Sequence, residues 1–218
     1  VVIALVVGAT RPAPATGSVL AVNGDGAMVA VALTVPRAGA GAAYVEGIGL
    51  VIAGGNPDAP GLEVIGDDLS VRTLPFPSDA TTGAAAVTLG EERLALIGGR
   101  LAGAPAPTRV FDLRCAAECA PQLVPAADVA AIAMRGRGFA LTNGTLAVGE
   151  TDLGETIVFR VSVGDGVVTA LPLREPRFGA TPTPRRTARS RSSAASPTWA
   201  SPSARSRFFS RNSARSGH

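Results

Sequence analysis

The apolar residues of this chain occur in short runs that glycine-rich turns separate. Most runs span about four to eight residues and are rich in Val, Leu, Ile and Ala. Runs of this length between turn residues predict β-strands. Residues 82–113 show the unit most clearly, as strand, turn, strand, glycine pair, loop and strand. The pattern therefore predicts an all-β fold built from many short strands.

The same unit recurs along the chain at a spacing of roughly 44 to 50 residues. Residues 41–45 correspond to residues 83–87, because both segments begin Gly-Ala-Ala. Residues 50–55 correspond to residues 94–99, and both segments end in a glycine pair. A weaker copy follows, in which Gly149-Glu150 takes the place of that pair. The chain is therefore predicted to be a repeat protein.

The first and last repeats are expected to be incomplete. Residues 1–8 read as a buried strand closed by a glycine, so the chain enters in the middle of a repeat. Residues 176–180 restate residues 36–40 as Pro-Arg-x-Gly-Ala, so a further repeat begins there. The apolar start is too short for a membrane span and lacks the layout of a signal peptide. No membrane span is expected.

Four short strands in each repeat, with a glycine pair after the second, are typical of a propeller blade. A single four-stranded sheet cannot bury both faces, whereas blades packed side by side can. Small Gly and Ala residues in the first strand suit a crowded position near the axis. We therefore predict a partial β-propeller of about three to four four-stranded antiparallel blades over residues 1–184. Residues 185–218 are predicted to form a disordered C-terminal tail.

The body resembles a bacterial kelch-type β-propeller, the architecture also found in galactose oxidase-like proteins. The residues that carry the resemblance are the structural glycines Gly54, Gly55, Gly98 and Gly99, the Pro-Arg-x-Gly-Ala segments, and Val110-Phe111-Asp112 at the end of a third strand. Complete kelch propellers generally have about six or seven blades. The chain is then a fragment, closes a ring with other copies, or forms an incomplete arc, and the fragment interpretation is favoured.

Charge divides the chain into two unlike parts. Residues 1–184 hold 12 arginines and all 17 acidic residues, a net charge of −5. Residues 185–218 hold eight arginines and no acidic residue. One interpretation of the tail is a basic arm that binds nucleic acid or an acidic surface. The other interpretation is an out-of-frame translation of GC-rich coding sequence. The second interpretation is favoured, so nucleic acid is expected as a partner only if the tail is genuine.

The two cysteines, Cys115 and Cys119, are separated by three residues in one predicted loop. A loop that folds back closes a disulfide at this spacing, and we favour a disulfide over free thiols. A disulfide would indicate an extracellular or periplasmic location. With His218 as the single histidine, the cysteines cannot complete a four-ligand zinc site.

No catalytic, cofactor-binding or metal-binding set of residues is predicted. A body without histidine has no Ser-His or Cys-His pair, and it lacks the ligands of a copper-radical oxidase. Carboxylate chemistry stays open at Asp58, Asp67, Asp68 and Asp152, although a turn-forming role is favoured for them. The sequence thus predicts a non-catalytic scaffold that binds a protein or glycan, without a cofactor. The alternative is the remnant of an enzyme whose active site lies in blades missing from this chain.

Overall fold

A computed structural model describes residues 3–4, 15–22, 27–59, 61–124, 132, 134–141 and 144–180. The predicted disordered tail, residues 185–218, lies outside the described residues. So does most of the predicted first strand in residues 1–8.

The regular structure of the described residues consists of β-strands, which form four successive larger sheets and one separate two-stranded hairpin. Sheet 1 contains β1 (Ile3–Ala4), β2 (Thr16–Val22) and β3 (Met28–Arg37). Sheet 2 contains β4 (Gly41–Val45), β5 (Gly49–Ala53), β6 (Leu62–Ile65) and β7 (Val71–Leu74). Sheet 3 contains β8 (Ala85–Gly90), β9 (Arg93–Ile97), β12 (Thr108–Asp112) and β13 (Gln122–Val124). Between β9 and β12 the chain forms a short hairpin of β10 (Arg100–Leu101) and β11 (Ala104–Pro105). Sheet 4 contains β14 (Met134–Leu141), β15 (Gly144–Glu150), β16 (Thr156–Val161) and β17 (Val168–Ala170).

Sheets 2, 3 and 4 are each four-stranded and antiparallel, with their strands in chain order from one edge to the other. The predicted all-β class and the predicted four-stranded antiparallel units are therefore confirmed. Sheet 1 has three strands among the described residues, again in chain order. The strand pairings of the described residues form an open series of sheets rather than a closed ring.

Hydrogen-bond register corrects the predicted alignment of the first strands. Gly41 lies opposite Ala53, the residue before one glycine pair, and Ala85 lies opposite Ile97, the residue before the next. Gly41 therefore corresponds to Ala85, and the alignment of residues 41–45 with residues 83–87 is wrong by two positions. The cause is the repetitive Gly-Ala composition, which aligns almost equally well in either register. Each of the first two strands of sheet 3 therefore follows its counterpart in sheet 2 by 44 residues, the spacing from Gly41 to Ala85.

The predicted replacement of the glycine pair in sheet 4 is also wrong. Gly149 and Glu150 remain inside β15, where they pair with Ile157 and Thr156. In sheets 2 and 3 the second strand ends before its glycine pair. The four glycines of those pairs all have positive φ, between 64° and 86°, which residues with a Cβ rarely adopt. Glu150 has no such backbone requirement, so β15 continues.

The hydrophobic core consists of three layers between successive sheets. Each layer combines apolar side chains from the facing sides of two neighbouring sheets, and sheets 2 and 3 are buried on both faces. Representative pairs are Val31 with Ile65 between sheets 1 and 2, Leu62 with Phe111 between sheets 2 and 3, and Val110 with Phe159 between sheets 3 and 4. Burial on both faces explains the nearly continuous apolar runs in these strands.

The first strands of sheets 2, 3 and 4 come together along one edge of the stack. The N–H of Gly83 donates to the carbonyl of Gly39 at 2.8 Å, and the N–H of Gly136 donates to the carbonyl of Gly83 at 2.9 Å. A Cβ on Gly138 would collide with the backbone of Ala86. Backbone lies directly against backbone here, and a Cβ on Gly136 would likewise collide with the backbone of Ala85.

Candidate functional site

The strand order places two sets of loops at opposite ends of the first strands. Loops after the second strands and connections between sheets lie at one end, which we call the connection end. It includes residues 54–59, 98–107 and 151–155. Turns between the first and second strands lie at the other end, the turn end, and include residues 46–48 and 91–92.

A buried ion pair links sheets 1 and 2 at the connection end. The Nε of Arg37 lies 2.6 Å from the Oε2 of Glu63, and their side chains are 2% and 0% exposed. The same guanidinium donates through Nη1 to the carbonyl of Gly54 at 2.8 Å. The second oxygen of Glu63 accepts the backbone N–H of Thr34 at 2.6 Å. Both oxygens of the carboxylate are thus bonded within the protein, which assigns the pair a structural role.

Sheet 3 contains a related network with its charges exchanged. Leu96 in sheet 3 corresponds to Ile52 in sheet 2 at the 44-residue spacing. Arg109 pairs with Leu96, and Glu63 pairs with Ile52, so the two charged residues occupy equivalent positions. Arg109 donates through Nη1 to the Oγ1 of Thr81 at 2.7 Å. Its Nε lies 3.4 Å from the Oδ2 of Asp79.

Desolvation distinguishes Arg109 from an ordinary surface arginine. Burial lowers the pKa of its guanidinium below the usual value, and the negative charge of Asp79 partly offsets that effect. Neither its Nε nor its Nη2 has a hydrogen-bond partner among the described residues. The group stays cationic at neutral pH, because an arginine pKa is far above 7.

Two further ion pairs at the connection end are more exposed. Arg135 lies 3.1 Å from Glu150 across β14 and β15. Arg100 donates through Nε to Asp152 at 2.8 Å and also contacts the second carboxylate oxygen through Nη2. The second bridge holds the β10–β11 hairpin of sheet 3 beside the loop after β15 in sheet 4.

The four acidic residues singled out from the sequence do not form one site. Asp58 and Asp152 lie at the connection end, where Asp152 binds Arg100. Asp67 and Asp68 lie in the turn between β6 and β7. Asp67 accepts the hydroxyl of Tyr44 at 3.1 Å, which raises the pKa of that tyrosine.

The carboxylate of Asp68 closes its own turn. It accepts the hydroxyl of Ser70 at 2.6 Å and its backbone N–H at 3.0 Å, and these bonds lower the pKa of Asp68. A bond from the side chain to the N–H two residues later is an Asx turn. This contact agrees with the conformational role that the sequence favoured.

The predicted disulfide between Cys115 and Cys119 is present, with the two Cα atoms 5.8 Å apart. It closes the loop between β12 and β13. Cys119 is buried in the layer between sheets 2 and 3, and its N–H donates to the carbonyl of Pro75 at 3.3 Å. The bridge therefore holds a loop of sheet 3 against the end of sheet 2 and leaves no reactive thiol at either position.

Sequence reasoning did not identify the buried networks. One signal was available, because Glu63 is a single acidic residue within the apolar segment Leu-Glu-Val-Ile. Its partner, Arg37, is 26 residues away and could not be identified from local pattern.

The described residues contain no group of three His, Cys, Asp or Glu side chains placed to hold a metal ion. None of their regular elements is a helix with the length and hydropathy needed to cross a membrane. No protein-family model matches the chain, and no curated protein matches it either.

Proposed function

We propose that this chain is a non-catalytic, kelch-like repeat scaffold whose loops bind a protein or a glycan, and that it is a fragment of a larger β-propeller. One observation carries the proposal: successive four-stranded sheets pack face to face while their first strands meet along one edge. The bonds between Gly39, Gly83 and Gly136 define that edge. Blades of a propeller have this relation to their axis.

The connection after sheet 4 supports the fragment interpretation. Gly39 and Gly83 precede the first strands of sheets 2 and 3 and have φ of +65° and +76°. Gly179 follows sheet 4 and has φ of +59°. Phe178, the residue before Gly179, forms an isolated β-bridge with Glu155. In the connection between sheets 2 and 3, Asp79 forms a similar β-bridge with Asn56. The connection after β17 thus shares a positive-φ glycine with the connections into sheets 2 and 3.

The connection end is the proposed binding surface. Loops on a rigid sheet scaffold commonly carry recognition residues. The bridge between Arg100 and Asp152 sets two loop tips side by side, each with an exposed leucine. Leu101 is partly exposed, and Leu153 is 86% exposed. Exposed apolar residues beside a fixed ion pair favour a protein partner over a glycan.

The disulfide supports an exported setting, extracellular or periplasmic, for this scaffold. Nothing among the described residues favours the alternative, an enzyme whose active site lies in other blades. Their most deeply buried carboxylate, that of Glu63, is bonded within the protein through both oxygens.

The test is position-specific crosslinking followed by measured binding. A photo-crosslinking residue at Leu153 is compared with one at Leu123, which is 63% exposed on β13 and lies outside the proposed surface. We expect one partner to be captured at position 153 and not at position 123. Binding of that purified partner should weaken about tenfold or more in Leu153→Asp and stay within about twofold in Leu123→Asp.

A glycan array run in parallel decides between the two ligand classes. Binding to a glycan that Leu153→Asp abolishes would assign the surface to carbohydrate. Equal capture at both positions, together with an empty array, would refute a binding role for the connection end.

A further inference from the structure

The β10–β11 hairpin presents an uncharged surface at the connection end. Residues 101–107 read Leu-Ala-Gly-Ala-Pro-Ala-Pro, and all of them except Ala106 are exposed. We call these residues the hairpin surface. Sheets 2 and 4 lie on either side of sheet 3, so the hairpin is exposed with both neighbouring sheets in place. Depletion of charge is the compositional mark of the centre of a protein–protein interface.

The hairpin is held in shape by its own contacts. Arg100 exchanges two backbone hydrogen bonds with Thr82, at 3.0 and 2.9 Å. Leu101 pairs with Ala104, and the two residues between them both have positive φ, as a tight two-residue turn requires. The Nη1 of Arg100 donates to the carbonyl of Gly103 inside that turn. The surface is therefore preorganised, which lowers the conformational entropy that binding costs.

The ion pair beside the hairpin is satisfied within the protein. The Nε and Nη2 of Arg100 donate to the two carboxylate oxygens of Asp152, while Nη1 is used inside the hairpin. The loop that carries Asp152 is itself closed, because the N–H of Thr151 donates to the carbonyl of Glu155 at 2.9 Å. Charges that already form hydrogen bonds with each other have little to offer a charged ligand.

The turn end has the opposite character. Its turns carry the adjacent acidic pairs Asp67-Asp68 and Glu91-Glu92. A basic partner would be attracted to that end of the sheets, because charge steers association. The hairpin surface instead fits a segment that is itself apolar, since a charged group buried there would lose its hydration without gaining a counter-charge.

We propose that the hairpin surface binds an uncharged, apolar segment of a partner protein. Arg100 and Asp152 are the positioning residues, which hold the hairpin against the loop of sheet 4. The inference rests on the proposed binding role of the connection end, and it adds the chemistry of the partner and the role of the ion pair. Binding is then nearly independent of salt, because no exposed charges attract each other across the interface.

The test uses a phage-displayed library of random peptides, selected on the full chain and counter-selected on Leu101→Asp. We expect the peptides that require Leu101 to be enriched in apolar residues and to carry no net charge. Their dissociation constants should change by less than about twofold between about 50 and 500 mM NaCl. Leu123→Asp, on the outer edge of sheet 3, is the control and should bind them as wild type does.

Substitutions in the ion pair test the positioning role. Arg100→Gln and Asp152→Asn should each weaken binding of the selected peptides about fivefold or more, and the double variant should lose no more than either single variant. Arg114→Ala breaks an exposed ion pair at the turn end and should bind within about twofold of wild type. Unchanged binding in the single variants, or losses that add in the double variant, would overturn the positioning role.

The same selection separates this inference from the proposed function. Peptides that require Leu101 but are rich in charged residues, with affinities that fall as salt rises, would overturn an apolar partner and leave the connection end as a binding surface. Failure to select any peptide that requires Leu101 would overturn the inference outright. Crosslinking at Leu153 then shows whether the proposed function fails with it.

Discussion

Replacing Glu63 with glutamine should destabilise the protein strongly, because it removes the carboxylate that lies 2.6 Å from the buried guanidinium of Arg37. The two side chains are 2% and 0% exposed, so water cannot replace the lost interaction. The substitution would preserve the size of the side chain and an acceptor for Thr34. The guanidinium would keep its bond to the carbonyl of Gly54. Removing one partner of a buried pair costs about 3–5 kcal/mol.

Removing both charges should cost much less. Arg37→Met with Glu63→Leu replaces the pair by apolar side chains of similar length in a layer that is already apolar. Such replacements are often neutral in other proteins, because the desolvation penalty disappears together with the attraction. We expect a loss within about 1–2 kcal/mol, mainly from the carbonyl of Gly54, which would lose its donor.

The matched control is the ion pair between Asp112 and Arg114. It has a similar 2.7 Å contact, but its side chains are about half exposed. Arg114→Ala should leave the free energy of unfolding close to the wild-type value, because water already solvates both charges at this exposed site.

Urea unfolding followed by far-UV circular dichroism measures these differences. Fluorescence is unsuitable, since the single tryptophan, Trp199, lies in the tail. Equal m-values among the variants would show that the unfolding reaction itself is unchanged. A loss below about 1 kcal/mol in Glu63→Gln, no greater than in the exposed control, would refute a buried charge pair at this position.

Three further predictions follow from the same contacts. Gly138→Ala should lower the free energy of unfolding by about 1–3 kcal/mol, because the added Cβ would collide with the backbone of β8. Gly17→Ala is the control, because a Cβ there has space, and it should be nearly neutral in the same unfolding assay. Reducing the disulfide that includes Cys119 should lower the free energy of unfolding by about 2 kcal/mol, as expected for so short a loop; an unchanged urea midpoint in reductant would contradict this. Arg114→Ala should raise the pKa of Asp112 from about 2 toward its usual value, as measured by carboxyl NMR. Because the folded pKa is depressed, the small stabilisation is present above the unfolded pKa and is lost as the pH falls toward 2; an unchanged titration would show that Arg114 is not the cause.

Local pattern was sufficient to predict the strands and their grouping in fours. Turn residues and short apolar runs depend on neighbours in sequence, so their signals are visible in the chain. The glycine pairs mark the ends of second strands in sheets 2 and 3 for the same reason. Residues 98–107 show the limit, because the β10–β11 hairpin there lacks an apolar run and was not predicted.

Register and side-chain partners could not be predicted, because they depend on residues distant in sequence. The stretch from Gly83 to Val87 matches Gly41 to Val45 by letter, but its pairing with β9 sets a different alignment. Gly and Ala have too little side chain to distinguish the two. The partner of Glu63 is fixed by the packing of sheet 1 on sheet 2, which no local pattern encodes.

The exchanged charges at one repeat position give a direct test of the corrected alignment. At the 44-residue spacing of the first strands, Val35 corresponds to Asp79, and Arg37 corresponds to Thr81. The strand register makes Glu63 correspond to Arg109. Glu63→Arg alone places two arginines together in a dry layer and should unfold the protein or destabilise it by more than Glu63→Gln. Adding Val35→Asp and Arg37→Thr rebuilds in sheet 2 the network that sheet 3 already contains. If the positions are equivalent, the triple variant recovers most of the lost stability in the urea assay. A triple variant no more stable than Glu63→Arg would show that the two networks share a strand position but not a common local geometry.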